Sequence, residues 1–270
     1  MSGSVPILIV GTGPAGLAAS IQARRDLVDH VVVGREPAGG LVSAAWRIDN
    51  LPGFPGGVTG AALSRRLAKQ ADALGLPIRT GEVTGMEKQA GVFSATFASG
   101  ERIQARCLIL ATGTVPRPWS APVSGRLHRD VRTLPAALDG STVAIVGGGD
   151  AALDSALSVH GRGGRPVVHA RAALRANERI VRRIEERGIE VRTRSPIETA
   201  GLDADHLIVC IGRVPDDALY RLLVPDGPLP PGVETPVEGL FVAGDLIAGH
   251  ERYIALAQGD GQRAALLAEA

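Results

Sequence analysis

The chain carries one design twice. Residues 5–20, VPILIVGTGPAGLAAS, and residues 141–157, STVAIVGGGDAALDSAL, each read as an apolar run, a glycine turn and a run of small and apolar residues. Uninterrupted apolar runs suit strands buried on both faces of a parallel sheet. A strand that enters a helix through a tight glycine turn is the first part of a dinucleotide-binding βαβ unit. The expected fold class is therefore α/β, with two Rossmann-like nucleotide-binding domains. At 270 residues, 45% of them hydrophobic, the chain has material for two separate cores.

In the first turn Gly11, Gly13 and Gly16 are spaced GxGxxG. The first glycine permits the tight turn, the second lets backbone approach a pyrophosphate, and the third lets helix and strand pack closely. The phosphates then meet free N–H groups at the helix start, where the dipole is equivalent to about half a positive charge. The next strand, HVVVGRE, ends at Glu36. That is where a ribose-binding acid is expected, about 20 residues beyond the turn. In the second turn Gly147, Gly149 and Ala152 read GxGxxA, with Asp150 and Ala151 completing the turn. No acid closes the following strand. HARAALRA offers His169, Arg171 and Arg175 instead, and an arginine fork suits a 2′-phosphate that a carboxylate would repel. Two turns predict two nucleotides, with NADPH, or NADH as the alternative, at the second.

Between the turns run REPAGG, IDNLPGFPGG and ATG (residues 111–113), and GLFVAGD follows at 239–245. With GTGPAG in front of them, the chain resembles the low-molecular-weight thioredoxin reductase family of flavoproteins along nearly its whole length. The resemblance implies a three-layer ββα FAD domain in two pieces, residues 1–115 and 236–270, around an inserted NAD(P)H domain at 116–235 that is trimmed in its β-meander. Crossings are expected in TVPRPWSAP near 116 and ETPVEG near 236. The resemblance assigns Gly11, Gly13 and Gly16 to the pyrophosphate, Glu36 to the adenosine ribose, and Asn50 and Asp245 to the region of the flavin and its ribityl chain. Pro14, Ala15, Gly40, Ala111, Thr112, Gly113 and Gly244 are assigned to cofactor binding as a group. Arg252 falls where the family has an Arg-Gln pair, and Tyr253 replaces the glutamine, either beside the flavin or as an ordinary interface tyrosine. The family also implies a homodimer and domains that rotate to alternate access to the flavin.

One departure changes the chemistry. The family relays electrons through a CxxC pair, and its two slots fall here on Asp130 and Thr133, with Leu134 in place of the neighbouring acid. No CxxC exists in the chain; Cys107 and Cys210 lie in separate apolar runs and are expected as inert core thiols. His128, Arg129, Asp130 and Arg132 are expected to face the flavin, binding an acceptor or tuning the flavin, or else forming a solvated loop. Asp130, His128 and Tyr253 are the catalytic candidates, Asp130 as a proton donor. The expected function is an FAD-dependent NAD(P)H oxidoreductase passing electrons to a ferredoxin, a flavodoxin or an iron-sulfur enzyme such as a radical-based lipoyl synthase. Reduction of a quinone or low-molecular-weight disulfide is the alternative enzyme reading. A non-catalytic nucleotide sensor is the reading from another class.

Charge excludes little beyond bulk electrostatics. Twenty-nine Lys and Arg against 28 Asp and Glu give a net charge of +1, so neither nucleic acid nor anionic membrane is an expected partner. The histidines show no metal-ligand spacing, and no metal is expected. The start of the chain lacks a secretory pattern, which places the expected location in the cytoplasm. Arg182, Arg183 and Arg187 interleave with Glu185 and Glu186 on one predicted helix, either a docking patch or a solvated face. Trp46 is expected near the flavin or in boundary packing.

Overall fold

A computed structural model describes residues 3–36, 38–120, 126–194 and 204–269. The chain opens with β1 (Gly3–Val10), α1 (Pro14–Arg25), β2 (His30–Gly34), α2 (Gly60–Ala73) and β3 (Ile78–Thr80). A meander follows, β4 (Val83–Gln89), β5 (Val92–Phe97) and β6 (Arg102–Leu110). β1 is the centre of the first sheet, pairing in parallel with β2 (Leu8 opposite Val31) and with β6 (Leu8 opposite Leu108). Because successive side chains of a strand point to opposite faces, β1 feeds two cores. Ile7 and Ile9 pack with Ala15 and Ala19 of α1, while Leu8 and Val10 pack with Phe93, Ala95 and Phe97 of the meander. The result is the expected three-layer ββα stack. Each such fully buried aliphatic side chain stabilises by roughly 1.5–3 kcal/mol.

From the first sheet the chain runs through β7 (Thr114–Pro116) into β8 (Arg126–His128), β9 (Thr142–Val146), α3 (Asp150–Gly161), β10 (Arg165–Ala170), α4 (Glu178–Glu186), β11 (Glu190–Thr193) and β12 (His206–Val209). These strands form a second, parallel sheet ordered β11-β10-β9-β12-β8. Ile145, Leu153, Leu157, Val168 and Ile208 fill its core. The shortened meander expected between β11 and β12 falls mostly on residues 195–203, outside the described residues.

The return crossing comes earlier than the proline near 236 suggests. β13 (Arg213–Pro215) pairs antiparallel with β7, Val214 opposite Val115, so the two crossings form one ribbon. Beyond it, α5 (Ala218–Leu223) brings Tyr220, fully buried, into the first sheet's core beside Leu8 and Phe93. Its hydroxyl donates to Pro228 O at 3.0 Å. Residues 216–235 thus pack with the first sheet, because Tyr220 and Val233 find their apolar partners there. β14 (Leu240–Val242) then joins β6 in parallel, and α6 (Ile254–Glu269) packs on α1. That helix contact is so close that a Cβ on Gly261 would lie 2.0 Å from Ala15 O. Among the described residues no helix is long and apolar enough to cross a membrane.

Candidate functional site

The first glycine turn is built by exclusion. Gly11 has φ +126°, and a Cβ there would sit 2.1 Å from Ala111 O; one on Gly16 would sit 1.9 Å from Gly11 O. Gly13 is different: its Cβ would enter open space. That space is a cleft of about 920 Å³, in the upper range for ligand sites. No side chain caps α1, which begins at Pro14, and no acid lies in its first turn, so its N-terminal amides face the cleft without competition. Of the residues expected at the flavin nucleotide, Gly11, Gly13, Pro14, Ala15, Glu36, Gly40, Ala111, Thr112, Gly113, Asp245 and Arg252 line the cleft. Gly16 and Gly244 shape the backbone behind it; Gly244 has φ +71° and donates its N–H to Asp260.

Two expectations fail here. Asn50 is exposed and does not line the cleft, because the preceding Asp49 is drawn toward Arg47 and Arg183. Tyr253 is 51% exposed and also points away, although Arg252 and Ile254 on either side face inward. The sequence reading also missed a residue. Arg213, on the return ribbon, donates to Thr114 Oγ1 at 2.8 Å and Thr114 O at 2.7 Å and lines the cleft. Its only local signal is its place just after Gly212 in CIGRVP, at the start of β13. Arg252 donates from Nη2 to Arg213 O at 3.2 Å, while its Nε is buried without a hydrogen-bond partner. An orphaned guanidinium N–H, uncapped helix amides and an open glycine face fit an anionic dinucleotide with polar ring edges.

The second turn repeats the first in outline. Gly147 has φ +148°, and its Cβ would meet Cys210 O at 2.4 Å, as Gly11 meets Ala111. Gly149 begins α3 without a side-chain cap and faces open space. Asp150 is already engaged, accepting the Asn177 N–H at 2.6 Å. Ala152 is fully buried, and Ala151 O accepts the Ser155 hydroxyl at 2.7 Å. Arg171 and Arg175 are exposed beside this turn, and Arg175 N–H donates to Gly148 O at 2.7 Å, tying their loop to the glycines. His169 is buried within β10, and burial holds its imidazole below the usual histidine range, so it is neutral there.

Residues 5–262 match the family described as pyridine nucleotide-disulphide oxidoreductase. The chain belongs to that family. It is 30% identical to the bifunctional thioredoxin reductase/thioredoxin of Mycobacterium leprae over 97% of its own length, spanning 65% of that protein. It is 28% identical to the ferredoxin–NADP reductase of Ignicoccus hospitalis, over 93% of each chain. The crystal structure of Lactococcus lactis thioredoxin reductase (FR conformation) superposes with a TM-score of 0.84 over 98% of both chains, at 21% identity. The chain is thus a thioredoxin reductase-like oxidoreductase of a family whose cofactors are FAD and NADPH.

Another wall of the cleft, the loop that includes residues 129–132, carries an ion pair. Asp130 caps the short 3-10 turn Val131–Thr133 and accepts from Arg132 three times, at the backbone N–H (2.9 Å), Nε (3.0 Å) and Nη2 (2.8 Å). Burial raises the Asp130 pKa, but these bonds outweigh it and the carboxyl ends below its ordinary value. Asp130 is therefore ionised near neutrality, which removes the expected proton donor. His128 does not reach the cleft: its Nε2 lies 3.0 Å from His206 Nδ1 and its Nδ1 3.1 Å from Thr133 Oγ1. The cysteines sit in different cores. Cys107 packs beside Ile7 and Ile109, and Cys210, one residue past β12 and not within it, lies near Ser155 in the second core, its thiol pushed by burial to about 11.

The family's two halves meet here through the loop after Gly40. Trp46 packs on the second core with Arg183 and Arg187 against its ring, at 5.3 and 5.4 Å, and Arg183 pairs with Asp49 at 2.7 Å. Arg183 is thus engaged at the contact between the halves, whereas Arg182 and Arg187 remain exposed, as a solvated face would have them, and Trp46 is boundary packing. Its backbone N–H donates to Asp154 at 2.8 Å, and burial pushes that carboxyl up to about 6.

Proposed function

We propose that this chain is an FAD-dependent NAD(P)H oxidoreductase that delivers electrons from the flavin to an external acceptor with no protein dithiol between them, the acceptor being a ferredoxin, a flavodoxin or an iron-sulfur enzyme. The observation that carries this reading is the Asp130–Arg132 pair, which takes the loop where the family's redox cysteines would stand. Neither side chain can be reduced, and Cys107 and Cys210 belong to separate cores. The match to a ferredoxin–NADP reductase, 28% identical over 93% of this chain, supports an acceptor other than a thioredoxin.

FAD, when bound, accepts a hydride from the nicotinamide and can release its two electrons singly, as an iron-sulfur acceptor requires. The chain's own residues do the holding. Gly11, Gly13 and the start of α1 would take the pyrophosphate, Glu36 the adenosine ribose, and Asp245, Arg213 and Arg252 the flavin end. Gly147, Gly149 and the start of α3 would take the second pyrophosphate, with Arg171 and Arg175 on the 2′-phosphate. Asp245 is raised by burial, which Arg252 and Arg213 only partly offset, so its carboxyl is better placed than Asp130 to hold a proton in the cleft.

The test is anaerobic mixing of the yellow protein with NADPH and separately with NADH, followed by an acceptor panel. Rapid bleaching of the visible flavin band, reoxidised by an iron-sulfur protein or flavodoxin but not by thioredoxin, is expected. Saturable turnover with a quinone or small disulfide at low concentration would replace the protein acceptor with a small one. A flavin that stays oxidised under excess nucleotide would overturn the enzymatic reading.

A further inference from the structure

We propose that Arg132 is a strap by which the inserted unit holds FAD in the cleft of the first unit, so that the loop standing in place of the dithiol retains the cofactor. The proposal rests on reading that cleft as the FAD site. Arg132 belongs to the second unit, yet its Nη1 reaches across to Glu36 Oε2 and faces Gly40 O at 3.4 Å. Both of those residues line the cleft beside the first glycine turn.

The reach is aimed and not incidental. Asp130 occupies Nε and Nη2, which leaves Nη1 as the group directed at the first unit. The turn beneath is fixed in its own core: Val131 is 2% exposed, Val131 O accepts from Arg162 Nη1 at 2.8 Å, and Thr133 Oγ1 donates to Asp130 O at 3.0 Å. A guanidinium held by a carboxylate on one edge presents its other edge at little further entropic cost.

Position explains what it holds. The basic residue next to Glu36, Arg35, is engaged by Asp216 at 2.7 Å and Glu82 at 3.6 Å, which leaves Glu36 to Arg132. Arg132 lies between the Asp130 and Glu36 carboxylates, so it adds no net positive charge and acts by fixing the Glu36 carboxylate at the cleft wall. Only Oε2 of Glu36 is taken, so Oε1 remains for a ribose hydroxyl, with the carboxylate already oriented.

The experiment dilutes the purified holoprotein and follows the fluorescence of released FAD, giving a dissociation constant without turnover. Arg132→Ala is expected to weaken retention about ten- to a hundredfold, the range for a charge-assisted hydrogen bond. Arg132→Lys, which keeps charge but cannot hold Asp130 and reach Glu36 together, should fall between, and Asp130→Asn should lose less than Arg132→Ala. Arg126→Ala, an exposed arginine of β8 that does not line the cleft, should stay within about twofold. Thermal unfolding of each apoprotein separates a folding defect from a binding one, and Arg132→Lys carries the test if the alanine variant does not fold. Wild-type retention in both Arg132 variants overturns the strap and leaves the cleft reading intact. Tighter retention overturns it too, making Arg132 a competitor for Glu36. A purified wild type that neither carries nor binds FAD removes the cleft reading itself.

Discussion

The two glycine turns share a plan and differ in what surrounds them. In both, the first glycine has positive φ and lies against the carbonyl that follows a neighbouring strand, Ala111 O in one and Cys210 O in the other. The third position separates them. A Cβ on Gly16 would sit 1.9 Å from Gly11 O, whereas Ala152 carries its Cβ in a fully buried position. The first turn opens on a deep cleft walled by both units; the second displays exposed arginines beside an uncapped helix. The difference teaches that the same turn can be set behind a deep cleft or at an open, charged surface, depending on what the rest of the chain packs around it.

The largest expected effect is at Gly16. Gly16→Ala must displace backbone in a close-packed turn, at about 1–3 kcal/mol or more, and the purified protein should lack the flavin absorbance band. Next comes the contact between halves. The Asp154 carboxyl is raised to about 6 against an unfolded value of 3.8, so the folded state binds its proton more tightly. Its stabilising contribution is whole below the unfolded value and is lost as pH rises through about 6, by roughly 3 kcal/mol. Asp154→Asn keeps an acceptor for the Trp46 N–H, and should raise the melting temperature at pH 8 while flattening its dependence between pH 4 and 6. An unchanged pH profile would mean Asp154 is hydrated and ionised.

A smaller effect is expected at the second turn's arginines. Replacing Arg171 and Arg175 by alanine should raise KM for NADPH at least tenfold and leave KM for NADH within about twofold; equal changes would deny them the 2′-phosphate. Smallest is Ala152→Gly, expected to cost about 0.5–1 kcal/mol through helix entropy and to leave nucleotide affinity nearly unchanged. A large loss of affinity there would make the two third positions more alike than their packing indicates.

Both turns were legible because their signals are local: an apolar run and glycines at fixed spacing describe strand, turn and helix within about 15 residues. The return crossing was not. Proline near 236 and Pro215 look equally suitable as linkers, and what distinguishes them is pairing with Thr114–Pro116, about 100 residues earlier. The same holds for the cleft wall. Nothing local marks Arg213 as a wall residue or turns Tyr253 outward between two inward neighbours. His128 was misplaced because its partner, His206, lies on a strand adjacent only in the sheet.

By itself the sequence determined the α/β class, the two dinucleotide turns, the identity of the family and the absence of a CxxC, since each depends on residue type at short spacing. Tertiary structure decided where the halves meet, that Asp130 is ionised, and that Arg132 reaches Glu36. Those outcomes depend on burial and on charges brought together across the chain, and an electrostatic environment is set by neighbours in space, which short spacing does not specify.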